Sequence, residues 1–118
     1  MATTFLKRRA DMKRAPLDKC HGGVGALDWT DMFTKDESAG RTLRFCHDNI
    51  LKPGVSIGVH SHEKGEEYYF VIEGTGIMTL DGEEYEMGPG DISVVYAGGS
   101  HGLRNESDGD LRILVFLV

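Results

Sequence analysis

From residue 41 to the end, short stretches of alternating polar and apolar residues are cut at regular intervals by turn residues. Residues 41–46 alternate, with Leu43 and Phe45 on one face. Lys52-Pro53-Gly54 reads as a type II turn, in which proline sets φ at the second position and glycine supplies a positive φ at the third. The pattern then predicts strands over 55–62 and 67–72, antiparallel across a polar Glu-Lys-Gly turn. Further strands are predicted over 77–80, 83–87, 91–96, 100–105 and 111–118, with Asp81-Gly82 the strongest hairpin signal. About eight short strands at turn-marked intervals predict an all-β domain, a sandwich or a jelly-roll barrel.

The first 40 residues have a different texture. Within residues 1–15, Lys7, Arg8, Arg9, Lys13 and Arg14 stand against Asp11 alone. Residues 1–40 are expected as an N-terminal arm and irregular segment packed on the barrel or on a partner, and 41–118 as the barrel. One short strand is expected around 26–29 and a helical turn at Asp31-Met32-Phe33. Trp29 and Phe33 are expected in the core or covering a barrel end.

Composition narrows the class. The chain has 118 residues, enough for one hydrophobic core and too few for two. Nineteen acidic against 13 basic residues give a net charge of −6, the wrong sign for a nucleic-acid surface. No apolar run approaches the ~18–20 residues of a membrane helix, and no secretory leader is visible. These features predict a cytoplasmic protein with neither membrane nor nucleic acid as partner. Cys20 and Cys46 form no C-x-x-C spacing and are expected as free, partly buried thiols.

The chemistry concentrates between Gly54 and Gly74. His60 and His62 are two apart on a predicted strand, so their side chains share a face, roughly 6–7 Å from each other. Two imidazoles so placed can converge on one cation. Glu66-Glu67 opens the next strand and brings a carboxylate beside them; a solvated hairpin is the competing reading. His101 begins a strand two hairpins later, and a jelly roll can carry it across to complete a site that local spacing cannot.

These residues resemble the two motifs of the cupin superfamily. Gly54, His60, His62, Glu67 and Gly74 match the first motif, G-x5-H-x-H-x(3,4)-E-x6-G, whose spacing selects Glu67 over Glu66. Gly90, Gly98, His101 and Asn105 match the second, G-x5-P-x-G-x2-H-x3-N, with Tyr96 in place of the proline. The whole length is similar to small single-domain bacterial cupins that are themselves similar to one half of oxalate decarboxylase. The resemblance implies a double-stranded β-helix, or jelly-roll barrel. It also implies that His60, His62, Glu67 and His101 hold one divalent transition metal: Mn, Fe, Ni, Zn, Co or Cu.

Three imidazoles and one carboxylate leave open positions on a six-coordinate ion, where a small anionic molecule or O2 would bind. The resemblance offers metal-dependent decarboxylases, dioxygenases, isomerases and lyases. A non-catalytic binding or sensor module is the alternative, although the chain carries no output domain of the helix-turn-helix kind. Tyr69 shares the face of Glu67 and is expected as a proton donor near the metal or as an aromatic wall. Asn105 is expected to brace a turn, Asp91 to serve a turn, and His21 and His47 to be structural or surface histidines. Strand parity also turns Val55, Ile57 and Val59, with Tyr68, Phe70 and Ile72, away from the metal. That apolar row predicts a two-fold homodimer, sheet against sheet, with the arm completing the cover.

Overall fold

The computed structural model describes residues 3–118. Ten strands and one short helix follow one another: β1 (Lys13–Asp18), β2 (Ala26–Phe33), α1 (Lys35–Ser38), β3 (Phe45–Leu51), β4 (Ser56–Ser61), β5 (Glu67–Glu73), β6 (Gly76–Leu80), β7 (Glu83–Met87), β8 (Ile92–Val95), β9 (Ser100–Arg104) and β10 (Leu111–Leu117). They form two antiparallel sheets, six-stranded in the order β1-β2-β3-β10-β5-β8 and four-stranded in the order β4-β9-β6-β7. Strands adjacent in space are mostly distant in sequence, as a jelly roll requires.

Turn chemistry places the predicted strands. Val55 N–H donates to Lys52 O at 3.0 Å around Gly54 (φ +83°), the expected type II turn. Asp81 (φ +48°) and Gly82 (φ +84°) both have positive φ, the signature of a type I′ turn, whose twist suits the β6–β7 hairpin. Between the sheets lies one apolar cluster that includes Leu27, Leu51, Ile57, Met78, Leu103 and Ile113, each at most 3% exposed. Each such side chain contributes about 1.5–3 kcal/mol by leaving water.

Four expectations change. Residues 13–33 are mainly two strands of the larger sheet, not an irregular segment with one short strand. The helical turn lies past Phe33, because Thr34 and Glu37 cap α1 reciprocally: Glu37 N–H donates to Thr34 Oγ1 and Thr34 N–H to Glu37 Oε1, each at 3.0 Å. The strand expected over 41–46 begins at Phe45 and runs to Leu51. It carries Asp48 and Asn49 into buried positions (1% and 4% exposed) that an apolar pattern does not reveal.

The fourth change concerns β4. Ile57 pairs with Leu103 and His60 with His101, so Gly58 and Val59 together oppose Gly102. This β-bulge puts Ile57 and His60 on the same face although they are three apart. Ile57 therefore joins the core at 3% exposure instead of facing outward, while Val59 stays 60% exposed.

Candidate metal centre

The bulge also sets the first histidine. His60 Nδ1 donates to the carbonyl of Gly58 at 2.8 Å, which turns Nε2 inward as a lone pair. A backbone carbonyl on the far nitrogen is the usual brace of a metal-binding imidazole. His101 sits opposite His60 in the β4–β9 ladder and opposite Leu80 in β6–β9. Asp81 fastens that strand start by accepting from Ser100 N–H at 2.9 Å. His62 lies just past β4, its N–H donating to Gly99 O (3.1 Å) and its carbonyl accepting from Gly98 N–H (2.8 Å). Glu67 opens β5 on the other sheet, with its side chain only 7% exposed.

The four side chains meet between the sheets. Oε1 of Glu67 lies 3.0 Å from His101 Nε2, 3.3 Å from His62 Nε2 and 3.9 Å from His60 Nε2. His101 Nε2 is 3.1 Å from both His62 Nε2 and His60 Nε2. Donors about 2.1 Å from a common ion are separated by about 3.0–3.4 Å across octahedral or tetrahedral edges. Four of these separations, 3.0, 3.1, 3.1 and 3.3 Å, fall in that range, with the 3.9 Å between His60 and Glu67 somewhat longer, and the N3O donor set fits a first-row divalent metal. Three ring nitrogens pressed together beside a carboxylate are otherwise poorly matched, since neutral imidazoles facing each other need a proton or a cation between them.

Electrostatics agree with the geometry. Burial pushes the Glu67 carboxyl up, but the facing imidazoles of His101, His60 and His62 outweigh it and hold the group at about 2. Burial favours neutral His62. At His60 burial acts the same way, but the bonds to Glu67 and Gly58 raise its proton affinity overall. His101 is fully buried, and its Nδ1 has no partner among the described residues.

Residues around the four fall as follows. Tyr69 is 2% exposed, part of the core, with its ring 4.6 Å from that of His101. Burial, then the Glu67 charge, raises its hydroxyl well above the ordinary tyrosine range, so it stays protonated. Asn105 braces a turn: its Nδ2 donates to Leu51 O and Gly109 O, and its Oδ1 accepts from Ser107. Asp91 caps the Gly88 turn, accepting from Gly88 N–H at 2.8 Å. Trp29 and Phe33 are half-buried, Phe33 stacked on Phe5 at 6.2 Å.

His21, expected as a structural or surface histidine, packs directly against the site. Its ring lies flat on His60, centroids 3.5 Å apart and 9° between planes. Burial and the neighbouring imidazoles, His60 first, lower its proton affinity. The loop that carries it approaches β4 so closely that a Cβ on Gly58 would strike the His21 carbonyl, and one on Gly23 would strike Ser56 O. The glycine run His21-Gly22-Gly23-Val24-Gly25 was the available signal, since glycine permits such backbone contact. Cys20, beside it, is a free thiol raised by burial and then by Glu67.

Residues 49–117 match the Cupin_2 family of cupin domains, a span that takes in all four converging side chains. The chain belongs to the cupin family. This cupin is 25% identical over 116 residues to an oxalate-binding protein of Thermotoga maritima, covering 98% of this chain and 95% of the relative. It is 34% identical over 71 residues to a 5-nitrosalicylic acid 1,2-dioxygenase of Bradyrhizobium sp, covering 60% of this chain and 34% of that enzyme. A predicted oxalate decarboxylase from Thermotoga maritima superimposes with a TM-score of 0.88 at 24% identity, covering 97% of this cupin and 98% of the other chain. A polyketide cyclase from Streptomyces resistomycificus does so with a TM-score of 0.77 at 22% identity, over 98% and 79%. At these identities the superpositions speak for the fold alone. Among the described residues no helix is long and apolar enough to cross a membrane.

Proposed function

We propose that this cupin binds one divalent transition metal through His60, His62, Glu67 and His101, and acts there on a small anionic carboxylic or oxygenated compound. The convergence of three Nε2 atoms on Glu67 Oε1 within 3.0–3.9 Å carries the reading. The ion, when bound, supplies Lewis acidity toward a carboxylate or carbonyl, or a redox centre for O2. Glu67 stays anionic and offsets part of the metal's charge, while His60 and His101 hold their rings through strand pairing. Tyr69, protonated and beside His101, can donate a hydrogen bond to a bound ligand but cannot serve as a base near neutrality. The free thiols suit a reducing cytoplasm.

Metal analysis of the freshly purified protein tests the site. About one ion per chain is expected, and its full retention by a His60→Ala/His101→Ala double variant would falsify the assignment. Catalysis is tested by screening carboxylic acids and O2-dependent substrates against Mn-, Fe-, Ni- and Zn-loaded protein. The name of the Thermotoga relative, an oxalate-binding protein, favours a second reading as a binding module. Tight ligands without turnover would decide for it.

We also propose a two-fold homodimer, on a revised patch. The expected row is broken, because β4 and β5 lie in different sheets, Ile57 is in the core and Val55 packs against it, but the outer face of the six-stranded sheet carries Tyr68, Phe70, Leu114, Phe116, Ile92 and Val94 in register. Arg9 holds the arm against this face through Asp48, leaving Phe5 and Leu6 62% and 73% exposed. Sedimentation should give twice the 13.0 kDa of one chain, and Phe70→Glu should halve that mass or cost solubility. A 13 kDa particle at micromolar concentration overturns the dimer.

A further inference from the structure

Two strained residues stand in the loop that crosses β4. Lys19 (φ +49°, ψ +48°) and His21 (φ +50°, ψ +36°) both take the left-handed conformation, which is costly for a residue with a Cβ. Glycines fill the same conformation at Gly22 and Gly25 of this loop, yet position 21 carries a side chain. Such strain persists where the surroundings over-determine the backbone. Here they do. Lys19 N–H donates to Gly25 O at 2.9 Å and closes the loop on itself. Ser56 N–H donates to Val24 O, and Val24 N–H to Ser56 Oγ, each at 2.9 Å. These two bonds tie the loop to the start of β4, and Cys20 packs its side chain on the apolar cluster. The segment is a clamped strap.

What the strap delivers is a ring. The His21 imidazole lies 3.5 Å from that of His60 and only 9° from parallel, although His21 as a residue stays exposed. Its carbonyl abuts Gly58, where a Cβ would strike it, and the carbonyl of Gly58 in turn accepts from His60 Nδ1. His60 is therefore held along one edge by a hydrogen bond and over one face by a flat neighbour. No other imidazole of the centre is covered this way: the remaining ring contacts, His60–His62, His60–His101, His62–His101 and Tyr69–His101, are 57°, 60°, 77° and 34° from parallel.

Exposure gives the strap a direction. The His101 and Glu67 side chains are 0% and 7% exposed, against 12% for His60 and 14% for His62. The centre thus opens toward water on the side of His60 and His62, and the strap lies against that side. An imidazole leaves an ion by turning its ring, and a ring in van der Waals contact with its face resists that turn.

We propose that His21 is a positioning residue of this centre: its ring fixes the plane of His60 and slows the exchange of a bound ion. The proposal rests on the reading of His60, His62, Glu67 and His101 as a metal site. His21 acts through its flat shape and not through its ring nitrogens, so a phenyl ring at 21 does the same work.

Zinc release from the full-length, Zn-loaded protein into excess colorimetric chelator measures the effect, and the visible absorption of the Co-loaded protein reports the ligand geometry. His21→Ala should release zinc about ten-fold faster and shift the cobalt bands, whereas His21→Phe should restore the wild-type rate and spectrum. If His21→Ala does not fold, His21→Leu, which fills the space without a flat ring, takes its place with the same expected outcome. Wild-type rate and cobalt spectrum in the variant that lacks the ring overturn this proposal and leave the metal reading intact, even where that variant unfolds more easily. Equally fast release from His21→Phe and His21→Ala overturns the role of the stack. A wild-type protein that holds neither zinc nor cobalt overturns both readings.

Discussion

Two carboxylates are buried in the same sheet, Glu67 facing in at 6% exposure and Asp48 facing out at 1%, and they are satisfied by opposite means. Asp48 meets two guanidiniums. Arg112 grips it through Nε (3.0 Å) and Nη2 (2.7 Å), and Arg9 of the N-terminal arm adds Nη1 at 2.9 Å. Burial pushes the Asp48 carboxyl up, but the arginines outweigh it, so it stays ionised in a pairing that is complete. Glu67 meets three imidazoles, whose Nε2 atoms crowd together beside it. Permanent cations make the first a structural clamp. Titratable, ligating ones make the second a place where a cation can be received.

If that contrast holds, the two sites should break differently. The largest expected effect is on metal: Glu67→Gln keeps shape but removes charge, and should weaken metal binding by more than about 100-fold with the fold retained. Equilibrium dialysis measures it, and unchanged affinity would count against the centre. Asp48→Ala should leave metal content alone and cost about 2 kcal/mol of stability, moderated because both arginines can turn to water. Urea unfolding checks it.

Acid should separate the sites further. Metal affinity should fall with acid as the ligands take up protons, His60 before His62, since the proton affinity of the first is raised and that of the second lowered. The Asp48 pair has a depressed carboxyl pKa, so its stabilisation is complete above the ordinary value of about 3.9 and is lost only as pH falls below it, through the folded value. Two acid transitions are therefore expected, metal release before unfolding, and Asp48→Asn should flatten the second. The smallest effect is at Arg9, whose side chain is half exposed: Arg9→Ala should cost about 0.5–1 kcal/mol and loosen the arm, seen as faster proteolysis near residue 9. Loss of metal in that variant would blur the distinction.

Much of the fold was legible because its turns are chemically marked. Pro53-Gly54, Asp81-Gly82 and Gly88-Pro89-Gly90 divide β4 to β8 within a residue or two of where they lie. β1 was not legible: Lys-Arg-Ala-Pro-Leu-Asp is an edge strand with almost every residue exposed, so no apolar alternation marks it. The central part of β3 was hidden because Asp48 and Asn49 read as polar surface until Arg9 and Arg112 are known to arrive from opposite ends of the chain. The four ligating residues were legible through motif spacing, which survives changes elsewhere. His21 was not, since its contact with His60 spans 39 residues and depends on a close backbone crossing. The bulge at Gly58-Val59 left no mark that alternation could detect, and it misdirected Ile57.

That crossing constrains how the molecule can change over time. Gly23 and Gly58 pass each other with backbone where side chains would otherwise be, and a Cβ on either meets the opposing strand or loop. A methyl at 58 would displace the carbonyl of His21, and with it the ring that covers His60. Neither position is therefore free to drift alone: a lineage that gains a side chain at one must reshape the other, and the metal site's outer cover changes in the same step.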